Sequence, residues 1–131
     1  MKKEFKILIA DRNSNVREFL KREMTDEGYA VVMAENGRDV LKWVYNLNPV
    51  DLLILDPDLP DADESLLLMK LNQKTPYIPV VLHTFFSDYI ATSKILALSE
   101  FVEKGGNSIE QLKKIIETIL KNNISTNLGK G

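Results

Sequence analysis

Leu52-Leu53-Ile54-Leu55-Asp56 is a run of four apolar residues closed by an acid. The run has strand length and does not alternate, so both of its faces lie in a core, as in a parallel strand covered on two sides. The same form recurs along the chain. Phe5-Lys6-Ile7-Leu8-Ile9-Ala10 stops at Asp11, Val80-Val81-Leu82-His83 at Thr84, and Phe101-Val102-Glu103 at Lys104. Ala30 to Ala34 makes one more short strand.

Helical spacing fills the gaps. Asn13 and Ser14 are cap candidates before Val16, Phe19, Leu20 and Met24, and Gly28 closes that helix after about Glu27. Asn36-Gly37 reads as a turn, and Val40, Leu41, Val44 and Leu47 mark a helix ending before Pro49. Pro57 and Pro60 make a loop, and Glu64 to about Asn72 is a third helix. Ser87 or Asp88 caps a fourth helix running to about Leu98. After Gly105-Gly106-Asn107-Ser108, the last helix carries Ile109, Leu112, Ile115, Ile116, Ile119 and Leu120 on one side. Trp43 and Tyr45 are expected in core or surface packing, and Lys113-Lys114 on a solvated face. The order βαβαβαβαβα predicts an α/β domain over residues 1–124, a doubly wound five-stranded parallel sheet with five helices. Residues 125–131 read as a frayed tail.

Composition narrows the function. The chain has 131 residues, 44% hydrophobic and 27% charged, an ordinary globular balance. A net charge of −2 exerts no global pull on nucleic acid or anionic membranes, and no helix-turn-helix segment lies outside the βα repeat. The absence of cysteine excludes disulfides, thiolate zinc sites and cysteine nucleophiles, and a single histidine excludes a multi-His metal site. No apolar run approaches the roughly 20 residues that span a bilayer, and the run after Met1-Lys2-Lys3-Glu4 is too short for a signal-peptide core. A cytoplasmic protein is expected.

In open parallel sheets, ligands bind beyond the carboxyl ends of the strands. Asp11, Asp56, Thr84 and Lys104 all stand at such ends. Singly, each is an ordinary turn, cap or surface residue. Together they suit phosphoryl chemistry. A carboxylate can attack phosphorus, and a hydroxyl and an ammonium can hold the phosphoryl oxygens. Neighbouring acids would hold Mg²⁺.

Five stretches carry a family resemblance: Ile7-Leu8-Ile9-Ala10-Asp11, Asp51 to Asp56, Leu59-Pro60, Pro79 to Thr84, and Phe101-Val102-Glu103-Lys104. With them the chain resembles a receiver domain of two-component response regulators, over about residues 5 to 122. The resemblance implies a flavodoxin-like fold, with Asp56 as phosphoacceptor, Thr84 as switch hydroxyl and Lys104 as phosphate-binding lysine. It implies that Phe101 turns inward on activation, and that Asp11 and Asp56 hold Mg²⁺; Asp58, two residues past Asp56, would lean in to restore a third acid. It also implies a histidine kinase or phosphotransfer protein as donor. A downstream protein or a second copy would bind at the face of the fourth helix, fifth strand and last helix.

The pattern breaks in four places. The family carries two adjacent acids after the first strand, and here they read Asp11-Arg12. Asp11 and Asp56 sum to −2, and Arg12 would bring the pocket to −1 without a metal, so Arg12 is expected to replace the metal in part and weaken Mg²⁺ binding. At about 4 Å and an effective dielectric near 20, such a pairing carries about 4 kcal/mol before desolvation. Otherwise Arg12 swings into solvent. Phe85 stands where a small residue is usual and would narrow access to Asp56. Gly105 replaces a proline that follows a cis bond, so the Lys104–Gly105 bond is expected trans. Only twenty positions separate Thr84 from Lys104 and no Gly-Ala pair precedes Phe101, so the fourth helix is expected to be irregular. His83 is expected in the core or at an edge.

Three functions compete. The first is a single-domain or excised response regulator that takes a phosphoryl group on Asp56 and acts through a partner. It would catalyse its own phosphorylation and dephosphorylation and would not be a turnover enzyme. The second is a receiver-like interaction module independent of phosphate, favoured by Arg12, Phe85 and Gly105. The third is a phosphatase similar to haloacid dehalogenases, suggested by Asp56-Pro57-Asp58. That motif lies on the third strand, and no acidic pair follows Lys104.

Overall fold

The computed structural model describes residues 4–61, 64–85 and 99–129. Five parallel strands lie in the order β2-β1-β3-β4-β5: β1 Lys6–Ala10, β2 Ala30–Ala34, β3 Leu52–Leu55, β4 Val80–Thr84 and β5 Ser99–Glu103. Four helices are described: α1 Ser14–Asp26, α2 Gly37–Val44, α3 Glu64–Gln73 and α4 Ser108–Gly129. The expected fourth helix, Ser87 or Asp88 to Leu98, lies outside the described residues.

Each inner strand feeds two cores, because successive side chains point to opposite faces. Leu8, Leu53, Leu55, Val80 and Leu82 face one side, where Val40 and Val44 of α2 and Leu67, Leu68 and Leu71 of α3 cover them. Ile7, Ile9, Leu52, Ile54 and Val81 face the other, under Leu20 and Met24 of α1 and Leu112, Ile116 and Leu120 of α4. This two-sided burial explains the unbroken apolar runs. Truncating one of these leucines to alanine would cost about 2–5 kcal/mol. Trp43 packs at the margin of the first core, while Tyr45 is exposed and its hydroxyl donates to the Lys70 carbonyl at 2.8 Å.

The turns follow from local chemistry. The Asn13 side chain caps α1 by accepting from the N–H groups of Asn15 and Val16. Gly28 ends it with a φ of +95°, which L side chains rarely adopt. Asn36-Gly37 is not a free-standing turn. Asn36 is the cap of α2, accepting from Asp39 N–H at 2.9 Å, and Gly37 is its first residue. Asp61, 24 positions on, also accepts from the Gly37 and Arg38 N–H groups, at 2.7 and 3.1 Å. These bonds hold the Asp61 carboxyl below its ordinary pKa. Lys113 is not on a solvated face. Its ammonium meets Glu23 at 3.0 Å and ties α4 to α1. The last helix runs on to Gly129, into the stretch expected as tail.

Candidate acidic pocket at the strand ends

In the order 2-1-3-4-5, chain direction across the sheet reverses between β1 and β3. Asp11 and Asp56 flank that point, each one residue past its strand. The ladder continues through them: Asp56 N–H donates to the Ala10 carbonyl at 2.9 Å, and Asp11 N–H to the Ala34 carbonyl at 3.2 Å. Both carboxylates are therefore fixed by backbone. They are 2% and 6% exposed, deep enough to need partners.

Lys104 is that partner. Its ammonium donates to Asp56 Oδ2 at 2.5 Å and to Asp11 Oδ2 at 2.8 Å. Lys104 N–H donates to the Thr84 carbonyl at 3.0 Å, so pairing of β4 and β5 aims the side chain inward. Burial alone would lower the ammonium's pKa, but its bonds to Asp11 and Asp56 outweigh that and raise it. Thr84, fully buried, donates its hydroxyl to Asp56 Oδ1 at 3.3 Å. That oxygen also accepts from Asp58 N–H at 3.0 Å, and Asp11 Oδ1 accepts from Asn13 N–H at 2.9 Å. Asp56, Thr84 and Lys104 thus converge on one point, with Asp11 beside them.

Arg12 takes the outward of its two expected positions, and Asp58 departs from its expected one. Arg12 does not pair with Asp11 or Asp56. It faces Asp58 at 3.5 Å across a contact where the two side chains are 53% and 64% exposed. Asp58 accordingly does not lean into the pocket. The cation between the buried acids is Lys104. Arg17, which the sequence did not mark, donates to the Asp11 carbonyl at 2.6 Å and lies 3.6 Å from Glu35. Its place one turn into α1 was the available signal.

Phe85 is 55% exposed, with its ring 5.8 Å from the Lys104 ammonium, at the pocket's edge. Phe101 is half-buried against the core shared with α2 and α3. The Lys104–Gly105 bond is trans. His83 is 5% exposed and faces α1, lining a groove of about 330 Å³ with Val16, Phe19 and Leu20. Neither ring nitrogen has a hydrogen-bond partner. Burial first, then the Lys104 charge, pushes its pKa from 6.5 down to about 4, although Asp11 and Asp56 pull the other way.

The donor set does not suit a divalent metal. Mg²⁺ demands near-octahedral oxygen ligation. Here two acids already share an ammonium, the third faces a guanidinium outside, and no cluster of three acidic or His side chains able to hold a metal forms among the described residues. No described helix is long and apolar enough to cross a membrane.

Comparison with known proteins agrees with this fold. The model of the response regulator receiver domain matches residues 7–117. Response regulator RR06 of Streptococcus pneumoniae is 35% identical over 92 residues, 70% of this chain and 42% of that protein. The DNA-binding transcriptional regulator NtrC of Escherichia coli is 32% identical over 82 residues, 63% of this chain and 17% of its own length. The chain thus spans less than half of these curated relatives. The structure of response regulator protein TrrA from Thermotoga maritima, in complex with Mg²⁺-BeF, superposes with a TM-score of 0.74 at 32% identity, covering 87% of this chain and 97% of that one. The receiver domain of a LuxO repressor from Vibrio parahaemolyticus shares the fold, with a TM-score of 0.79 at 24% identity over 98% of this chain and 99% of that one. On the match across residues 7–117, the chain belongs to the response regulator receiver domains of two-component signalling.

Proposed function

We propose that this receiver accepts a phosphoryl group on Asp56. The observation that carries the reading is the convergence on that carboxylate of the Lys104 ammonium at 2.5 Å and the Thr84 hydroxyl at 3.3 Å. An Asp56 oxygen attacks phosphorus and forms the O–P bond. The bond from phosphorus to the donor's imidazole nitrogen breaks, its electron pair stays on that nitrogen, and the ring, already protonated on its other nitrogen, leaves as neutral imidazole. Lys104 and Thr84 can then turn their hydrogens from the carboxylate to the phosphoryl oxygens, where charge has grown. The donor is a histidine kinase or phosphotransfer protein in the cytoplasm. The chain catalyses its own loading and unloading and is not a turnover enzyme. Output runs through a downstream protein, or a second copy, at the face that includes β5, Phe101 and α4, and a shift of Thr84 toward the phosphoryl group is the switch.

A second reading, an interaction module that needs no phosphate, draws support from the Arg12–Asp58 pair. Intact mass after treatment with acetyl phosphate separates the two. The first reading expects a gain of one phosphoryl group that is lost in Asp56→Asn. No gain with acetyl phosphate or with a phosphorylated phosphotransfer protein favours the second.

A further inference from the structure

The pocket carries its own cations in two tiers. Lys104 sits inside, on both buried acids, and Arg12 sits at the mouth, on Asp58. Arg12 follows Asp11 directly, and Asp58 lies two residues past Asp56, so the outer pair is tethered to the inner acids by the shortest stretches of chain. The outer contact is long, at 3.5 Å to each Asp58 oxygen, and more than half exposed. Pairs of that kind are weak and screened. A guanidinium binds phosphate oxygens in a two-pronged fashion and exchanges a poor carboxylate contact for them readily.

We propose that Arg12 replaces the divalent metal at this site. At rest it holds Asp58 outside and places a positive charge where a metal would approach. When a phosphoryl group arrives at Asp56, Arg12 leaves Asp58 and binds its oxygens alongside Lys104. Oxyanion loading then needs no Mg²⁺. With acetyl phosphate, the Asp56 O–P bond forms, the acetyl O–P bond breaks, and acetate leaves with the electron pair. The charges agree with this. Asp11, Asp56 and Asp58 contribute three negative charges and Lys104 and Arg12 two positive ones, leaving the site at −1 with no metal.

The inference rests on the phosphoacceptor reading for its second half only, so the test has two arms. In the first, Mn²⁺ is titrated into the full chain and the broadening of backbone amides at residues 11–13 and 56–58 is followed by NMR. The wild type is expected to show no selective broadening there. Arg12→Asp removes one positive charge and adds one negative, and should gain at least about tenfold in Mn²⁺ affinity at that site. Arg12 is exposed, so the variant should fold. Selective broadening in the wild type overturns the proposal, and so does a lack of gain in Arg12→Asp. In the second arm, labelling by acetyl phosphate is weighed with Mg²⁺ and with EDTA. The wild type should label equally in both, and Arg12→Gln should label at least about tenfold more slowly in EDTA, the low end for losing one charge-stabilising donor. Labelling of the wild type only with Mg²⁺ overturns the proposal. Absence of labelling in both conditions, and again with a phosphorylated phosphotransfer protein as donor, overturns the phosphoacceptor reading and with it Arg12's role in loading, while the Mn²⁺ arm decides metal exclusion by itself.

Discussion

Two ionic clusters share the pocket, one around Lys104 and one between Arg12 and Asp58, and they have opposite characters. Inside, Lys104 meets Asp56 and Asp11 at 2.5 and 2.8 Å with 15% of its side chain exposed. At the mouth, Arg12 meets Asp58 at 3.5 Å with more than half of each side chain in water. The chemistry is the same, a cation on a carboxylate, but the surroundings differ. Burial makes the inner contact obligatory, because a carboxylate removed from water must be paired. Exposure makes the outer contact optional, because water competes for both partners. The inner set is therefore suited to hold geometry and the outer one to change partners.

The largest effect should come from breaking the inner set. Lys104→Ala leaves two buried acids facing each other and should destabilise the fold by about 3–5 kcal/mol. Urea unfolding would measure it, and a loss below about 1 kcal/mol, in the range of exposed pairs, would erase the distinction between the two regions.

His83 sharpens the same contrast, since it is buried near Lys104 with no partner of its own. Its folded pKa, about 4, lies below the unfolded 6.5. Its contribution is fully present above pH 6.5 and drains as pH falls toward 4, because the unfolded chain takes up the proton first. The full loss is about 3–4 kcal/mol at most, taking each unit as roughly 1.4 kcal/mol. His83→Val should flatten this slope. It should also stabilise the protein near neutrality by about 1–3 kcal/mol, since an unsatisfied buried group is removed. Thermal melts across that range would test both signs.

The smallest effect is expected at the mouth. Arg12→Ala, Asp58→Ala and the double variant should each stay within about 1 kcal/mol of the wild type, with coupling that disappears in high salt. A coupling as large as that of the inner set would mean that the outer pair is structural.

The strand ends were legible in the sequence because a parallel strand buried on both faces admits few polar residues before its end. Asp11, Asp56, Thr84 and Lys104 therefore stood out against Ile7–Ala10, Leu52–Leu55 and Val80–Leu82. Their convergence followed from strand order. The partners of Arg12 were not legible, because a long side chain at a strand end can reach inward or outward, and Lys104, over 90 residues away in sequence, occupies the inner place. Asn36-Gly37 misled because asparagine serves turns and caps alike. Asp39, three residues on, was the sign of a cap, and Asp61 reinforces it from another loop. The Lys113–Glu23 pair depends on how two distant helices meet, which local periodicity does not encode.

Locating the modification tests the central claim most directly. After acetyl phosphate treatment, borohydride reduces an aspartyl phosphate to homoserine, which peptide mass mapping places on the chain. Homoserine at position 56 alone is the predicted result. Homoserine at position 11 or 58, or none in a chain that remains folded, would contradict the account.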